Sequence, residues 1–245
     1  MKNLPNPFFY FKQFAIRQDK SVMKVGTDSV LLGAWVDIYL SSSFHVLDVG
    51  TGTGIIALMI AQRNSRAIID AIDIDVDACN LSLENAWKSP FKERIQVIRQ
   101  SFFDYTAEKK YGLIVSNPPF FKNALKSPDE KRSVARHNDS LPLKPLIEHA
   151  ISLLSENGRI ALILPVSLSD GLDFIVATHR LFELRRTDVV TVEGGLEKRF
   201  LVEITTNNPQ KQDQNFKIIK DTLILETTDH QWTGQYRTLT RDFYL

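Results

Sequence analysis

The residue types best suited to chemistry stand together at Asn117-Pro118-Pro119-Phe120, directly after the apolar run Tyr111-Gly112-Leu113-Ile114-Val115-Ser116. Consecutive prolines stiffen the backbone at that point. The Asn117 side-chain carbonyl and the Pro118 backbone carbonyl can together accept both protons of a planar NH2 group. This would direct the nitrogen lone pair toward an incoming methyl group with no strong base required beforehand. The ring of Phe120 can stack on the flat face of such a substrate, as aromatic side chains do on unstacked bases. A rigid turn around a buried phenylalanine is the plain structural alternative.

A second group lies upstream. Asp48-Val49-Gly50-Thr51-Gly52-Thr53-Gly54 places three alternate glycines between a hydrophobic strand and a helix, and glycine there lets a ligand approach the backbone closely. The spacing departs from the dinucleotide pattern and lacks the Gly-Lys-Ser/Thr ending that cradles phosphates, so a nucleoside triphosphate is not expected. Asp48 would repel a pyrophosphate but can accept hydrogen bonds from a cationic amino-acid portion of a ligand, or cap its own turn. Asp73 ends the next strand, beside Ile74, where a carboxylate can hold the ribose hydroxyls of an adenosine. Asp75 and Asp77 on the same loop read as helix capping.

These groups need a scaffold that brings strand ends to one edge. From His45 onward short apolar runs alternate with helical patterns, the order of a doubly wound α/β sheet. Strands are expected at 45–49, 67–72, 95–99, 111–116 and 159–164 and helices at 54–63, 76–87 and 143–155, with Asn157-Gly158 as a helix stop. After Pro165 a helix at 170–179 leads to strands at 184–192 and 199–205 around Glu193-Gly194-Gly195, which reads as an antiparallel edge. A polar loop at 206–214 precedes a last strand at 222–226. Nothing separates a second domain, so residues 1–245 are read as one.

Composition narrows the classes further. The 245 residues are 43% hydrophobic and 24% charged, as in an ordinary globular protein. No run of 18 uncharged apolar residues occurs, and the first segment lacks the order of a secretion signal, so a cytoplasmic protein is expected. The lone cysteine, Cys79, reads as a small buried hydrophobe. A net charge of +1 makes no overall claim on nucleic acid, so any such claim rests on distribution. Cations gather at Lys2, Lys12, Arg17, Lys20 and Lys24, and again at Lys122, Lys126, Lys131, Arg132 and Arg136; solvated surface is the alternative. No second His, Cys or carboxylate cluster has ligand spacing near His137, and no metal is expected.

With these residues in view, DVGTGTG followed by AIDID resembles motifs I and II of the class I S-adenosylmethionine-dependent methyltransferases, and Asn117-Pro118-Pro119-Phe120 resembles their Asp/Asn-Pro-Pro-aromatic motif for amino groups. The resemblance implies a seven-stranded, mostly parallel sheet whose last strand is antiparallel. It implies S-adenosyl-L-methionine as cofactor, held by Asp48, Gly50, Thr51, Gly52, Gly54, Asp73 and Ile74. Where relatives often carry an acid this chain has Ser101, leaving Phe102 or the displaced Asp104 as adenine contacts. The stretch KQFAIRQDKSVMKVGTDSVLLGAW and the closing Asp-Phe-Tyr-Leu resemble the bacterial methyltransferases that modify N6 of adenine 37 in a valine tRNA. That family implies a monomeric or weakly associating enzyme acting on the anticodon loop. Residues 1–40 would cover cofactor and substrate, with Thr27 and Asp28 at the cofactor or capping a helix. Lys12, Lys24, Lys122, Lys126, Arg132 and Arg136 would hold RNA phosphates. Methylation of guanine N2 in ribosomal RNA, methylation of a protein glutamine, and a non-catalytic RNA-binding or cofactor-sensing module are the rival readings.

Overall fold

A computed structural model describes residues 7–18, 25–38, 44–119 and 142–244. Phe120, Lys24, Lys122, Lys126, Arg132, Arg136 and His137 therefore lie outside the described residues. An N-terminal hairpin, β1 (Phe8–Tyr10) and β2 (Ala15–Arg17), precedes helix α1 (Thr27–Trp35). Next come β3 (Phe44–Val49), α2 (Ile55–Arg63), β4 (Ala67–Asp73), α3 (Val76–Trp87), β5 (Ile95–Arg99) and β6 (Tyr111–Ser116). The second half holds α4 (Leu143–Leu153), β7 (Leu154–Pro165), α5 (Ser169–Thr178), β8 (Phe182–Val192), β9 (Glu197–Thr205), β10 (Ile219–Glu226) and α6 (Gly234–Thr240).

The strands from β3 onward form one sheet in the order β10-β8-β9-β7-β6-β3-β4-β5. The pairs β3·β4, β3·β6, β4·β5 and β6·β7 are parallel, as is β10·β8, while β9 is antiparallel to both β7 and β8. The α/β, mostly parallel architecture agrees with the sequence reading, but two details differ. Among the described residues the sheet has eight strands, and its antiparallel strand is internal. The β8–β9 hairpin folds β9 back between β8 and β7, and β10 takes the edge. The run Phe200-Leu201-Val202 is buried on both faces, and an unbroken apolar run of this kind belongs to a covered central strand. Asn157-Gly158 is likewise no helix stop: α4 ends at Leu153 and Gly158 lies within β7. A Cβ on Gly158 would come within 2.7 Å of the Tyr111 carbonyl oxygen, so glycine there serves close strand approach beside the irregular β6–β7 register.

Alternation along the strands sends side chains to two cores. Val46, Leu113, Val115, Ala161, Ile163 and Leu201 meet α1, α2 and the N-terminal hairpin on one face. Leu47, Val49, Ile114, Ile160, Leu162, Leu164, Phe200 and Val202 meet α4 and α5 on the other. The chain ends join the first core: Phe11 stacks on Phe14 and Tyr244, and Phe243 is fully buried. That packing gives a structural reason for the aromatic residues at both termini. Strand order reverses at β3, whose neighbours β6 and β4 continue in opposite directions across the sheet, and a crevice outside the carboxyl ends at such a point is where doubly wound folds bind ligands.

Candidate active site

Three strand ends converge at that reversal. Ser116 donates to the Val49 carbonyl at 2.8 Å, locking the end of β6 to the end of β3, and Asn117 follows at once. Its side-chain Nδ2 donates to Ser29 Oγ in the first turn of α1, 3.0 Å away. Pro118 is buried and Pro119 half-buried. Among the described residues no donor reaches Asn117 Oδ1, the acceptor end of the amide.

The glycine turn has the backbone its residues suggest. Gly50, Gly52 and Gly54 all have positive φ (70°, 55° and 79°), a region costly for residues with a Cβ. The backbone N–H groups of Gly50 and Thr51 donate to the Ile72 carbonyl, tying the turn to β4. A Cβ on Gly54 would lie 2.6 Å from Ser82 Oγ, whereas one on Gly52 would meet nothing within 4 Å. Gly54 is thus required by helix packing, and Gly52 faces open space.

Asp48 is fully buried, and its Oδ2 accepts from Thr51 Oγ1 at 2.7 Å and from the Ala57 N–H at 3.2 Å. Capping its own turn is therefore one role it fills, with Thr51 as the partner inside. Asp48 Oδ1 is buried without a partner. Burial pushes the Asp48 carboxyl up to about 7 against those two hydrogen bonds, with the nearby Asp73 charge adding to the rise. Asp73 Oδ2 accepts from the Gly52 N–H at 2.9 Å and Oδ1 from the Asp75 N–H at 3.0 Å. Burial raises its pKa too, opposed by hydrogen bonds from Asp75 and Gly52. Asp75 caps α3 through the Ala78 N–H.

The loop after β5 joins this edge through the Gln100 N–H, which donates to the Asp73 carbonyl at 2.9 Å. The two adjacent rings of this loop differ in burial. Phe102 is 4% exposed and packs edge-on against His149, with centroids 4.8 Å apart, so its faces are spent in the core. Its neighbour Phe103 is 38% exposed, and Ile74 is 57% exposed at the end of β4. Ile74 directly follows Asp73, and Phe103 lies three residues beyond Gln100, whose N–H is bonded to the Asp73 carbonyl. Adjacent aromatics in a loop carry no periodicity that tells inside from outside, so only the packing separates Phe102 from Phe103. Asp104 is exposed, and its carbonyl accepts from Gln100 Nε2.

Neither Thr27 nor Asp28 caps α1. The cap position is Gly26, which makes no side-chain bond, and Asp28 Oδ2 instead accepts from Arg199 Nε of β9 at 3.0 Å. Thr27 is exposed. Lys12 is exposed, and its Nζ donates to the Arg241 carbonyl at 2.5 Å. The hairpin that carries Lys12 packs on α3, where Arg17 pairs with Glu84 and its N–H donates to Asn85 Oδ1. Of the segment expected to cover the site, the part that reaches it among the described residues is the first turn of α1.

These features fit S-adenosyl-L-methionine. A glycine whose Cβ would occupy open space, a half-buried carboxylate at the end of β4, exposed apolar side chains beside it and an unpartnered buried carboxylate oxygen match its ribose, adenine and cationic portions. Among the described residues no group of three or more His, Cys, Asp and Glu could hold a metal, and no helix is long and apolar enough to cross a membrane.

Comparison with known proteins agrees with the geometry. A family model described as the methyltransferase small domain matches residues 29–169, a span that opens on Ser29 and includes Asn117. The chain is 44% identical over 244 residues to the tRNA1(Val) (adenine(37)-N6)-methyltransferase of Parabacteroides distasonis, with 99% of each chain covered. The chain belongs to the tRNA1(Val) (adenine(37)-N6)-methyltransferase family. A second member, from Bacteroides thetaiotaomicron, is 42% identical over 243 residues, again with 99% of each covered. Beyond this family the fold is shared with a predicted O-methyltransferase from Agrobacterium tumefaciens, at a TM-score of 0.67 and 16% identity over 88% of this chain and 96% of that one.

Proposed function

We propose that this enzyme transfers the methyl group of S-adenosyl-L-methionine to the N6 amino group of adenine 37 in the anticodon loop of a valine tRNA. The observation that carries the reading is Asn117 at the end of β6, anchored through Nδ2 with Oδ1 meeting no donor among the described residues, next to the glycine turn of β3. Family membership chooses adenine over guanine and glutamine.

Bound S-adenosyl-L-methionine supplies an electrophilic methyl group, and the chain's own residues do the rest by positioning. Gly50, Gly52 and Gly54 would shape the backbone beneath it, Asp73 would accept from its ribose hydroxyls, and Ile74 and Phe103 would offer apolar surface to its adenine. Asn117 Oδ1 and the Pro118 carbonyl accept the two protons of the substrate amino group and aim its lone pair. Phe120 stacks on the base, and the cations Lys12, Lys24, Lys122, Lys126, Arg132 and Arg136 contact RNA phosphates. The enzyme acts as a cytoplasmic monomer.

The test is methyl transfer from labelled S-adenosyl-L-methionine to unmodified total tRNA, followed by nucleoside mass analysis. N6-methyladenosine is the expected product. N2-methylguanosine would move the enzyme to ribosomal RNA chemistry, and no nucleoside product would direct the search to protein glutamine. Asn117→Ala is expected to abolish transfer while cofactor affinity stays within about threefold, because Asn117 aims the amino group without forming part of the glycine cradle; unchanged turnover overturns its role.

A further inference from the structure

We infer that Ser29 is a positioning residue that fixes which way round the Asn117 amide faces the substrate. The inference rests on the function proposed above. An asparagine side chain is an acceptor at one end and a donor at the other, and only the acceptor end can receive a proton of a substrate NH2 group. Turned over, the amide would set donors against donors. The hydrogen bond from Asn117 Nδ2 to Ser29 Oγ, at 3.0 Å, selects the productive orientation.

Ser29 can hold an orientation because α1 is itself held. Arg199 pairs with Asp28, the residue before Ser29. Midway along the helix, Gly33 meets α2 so closely that a Cβ would lie 2.7 Å from Met59 Sδ. At its end Trp35 Nε1 donates to Thr187 Oγ1 at 2.8 Å, and the Arg185 guanidinium stacks on the Trp35 ring at 4.0 Å. A serine on a helix fixed at both ends and in the middle is a rigid reference for a side chain that follows a strand 88 positions away.

One net hydrogen bond biases an equilibrium about five- to tenfold. Ser29→Ala is therefore expected to lower kcat by up to about five- to tenfold, with KM for tRNA and Kd for S-adenosyl-L-methionine within about twofold. Ser29→Thr, which keeps the oxygen, restores most of the rate. A purely structural role is separated by repeating Ser29→Ala in an Asn117→Asp background. A carboxylate accepts at both ends, so turning it over changes nothing, and the loss should shrink to less than about twofold. An equal loss in both backgrounds, or wild-type kcat in Ser29→Ala alone, overturns the inference.

A second measurement keeps the test decisive if Asn117→Asp is inactive. In the full-length protein the Asn117 side-chain amide resonances should move or double in Ser29→Ala and return in Ser29→Thr. An unchanged Asn117 signal overturns the inference with no reference to activity. If Asn117→Ala retains turnover, the proposed function fails instead, so the two failures are distinguishable.

Discussion

Replacing Gly52 and Gly54 one at a time with alanine separates a glycine needed by a ligand from one needed by the fold. Both have positive φ, so each alanine costs about 1–2 kcal/mol of backbone strain. At Gly54 a further term enters, because the new Cβ would sit 2.6 Å from Ser82 Oγ. Overpacking of this kind costs about 1–3 kcal/mol, giving about 2–5 kcal/mol in all. At Gly52 the Cβ meets nothing within 4 Å, so strain is the whole stability cost. The added methyl group nevertheless occupies the space proposed for S-adenosyl-L-methionine. Gly52→Ala should lose about 1–2 kcal/mol in denaturant unfolding yet bind the cofactor at least about tenfold more weakly by calorimetry, the equivalent of about 1.4 kcal/mol. Gly54→Ala should be the less stable protein, and adding Ser82→Ala should restore part of its loss. Equal destabilisation by the two alanines, or wild-type cofactor affinity in Gly52→Ala, would refute the reasoning.

Further predictions concern the buried polar groups. Asp48 is protonated more readily when folded, since burial lifts its carboxyl from 3.8 to about 7. Its favourable contribution is complete below about pH 4 and is lost as the pH rises through about 7. Asp48→Asn keeps an acceptor for Thr51 and Ala57, so its stability should gain on the wild type between pH 4 and pH 8, by as much as about 4 kcal/mol; parallel curves from denaturant titrations would contradict this. Tyr111→Phe removes a hydroxyl that donates to Asp70 at 2.5 Å and pairs with Tyr105 at 2.6 Å, and should cost about 1–3 kcal/mol. Because Tyr111 lies at the end of β6 opposite Asn117, kcat should be unchanged, and a fall in kcat with stability intact would count against a structural role.

Much of the frame was legible in the sequence because its signals are local. Alternation, helical spacing and turn chemistry act over a few residues, and α3, β5 and β6 have the very bounds expected. The glycine turn, the acid at the end of β4 and Asn117 were named correctly as neighbours because strands of a doubly wound sheet bring their carboxyl ends to one edge. What the sequence alone determined, then, was the succession of elements and the chemistry at each strand end.

Tertiary structure decided which residues meet across long separations. Ser29 reaches Asn117 over 88 positions and Arg199 reaches Asp28 over 171, and no local pattern encodes either pairing. The place of β9 inside the sheet depended on β8 pairing along its outer side while β7 paired along the other. The burial of Phe102 and exposure of Phe103 depended on His149, which α4 brings against the first ring. Asp48 shows the same division: its position was plain from the motif, while its unpartnered oxygen and raised pKa arise from burial, a property of the packed molecule rather than of its neighbours in the chain.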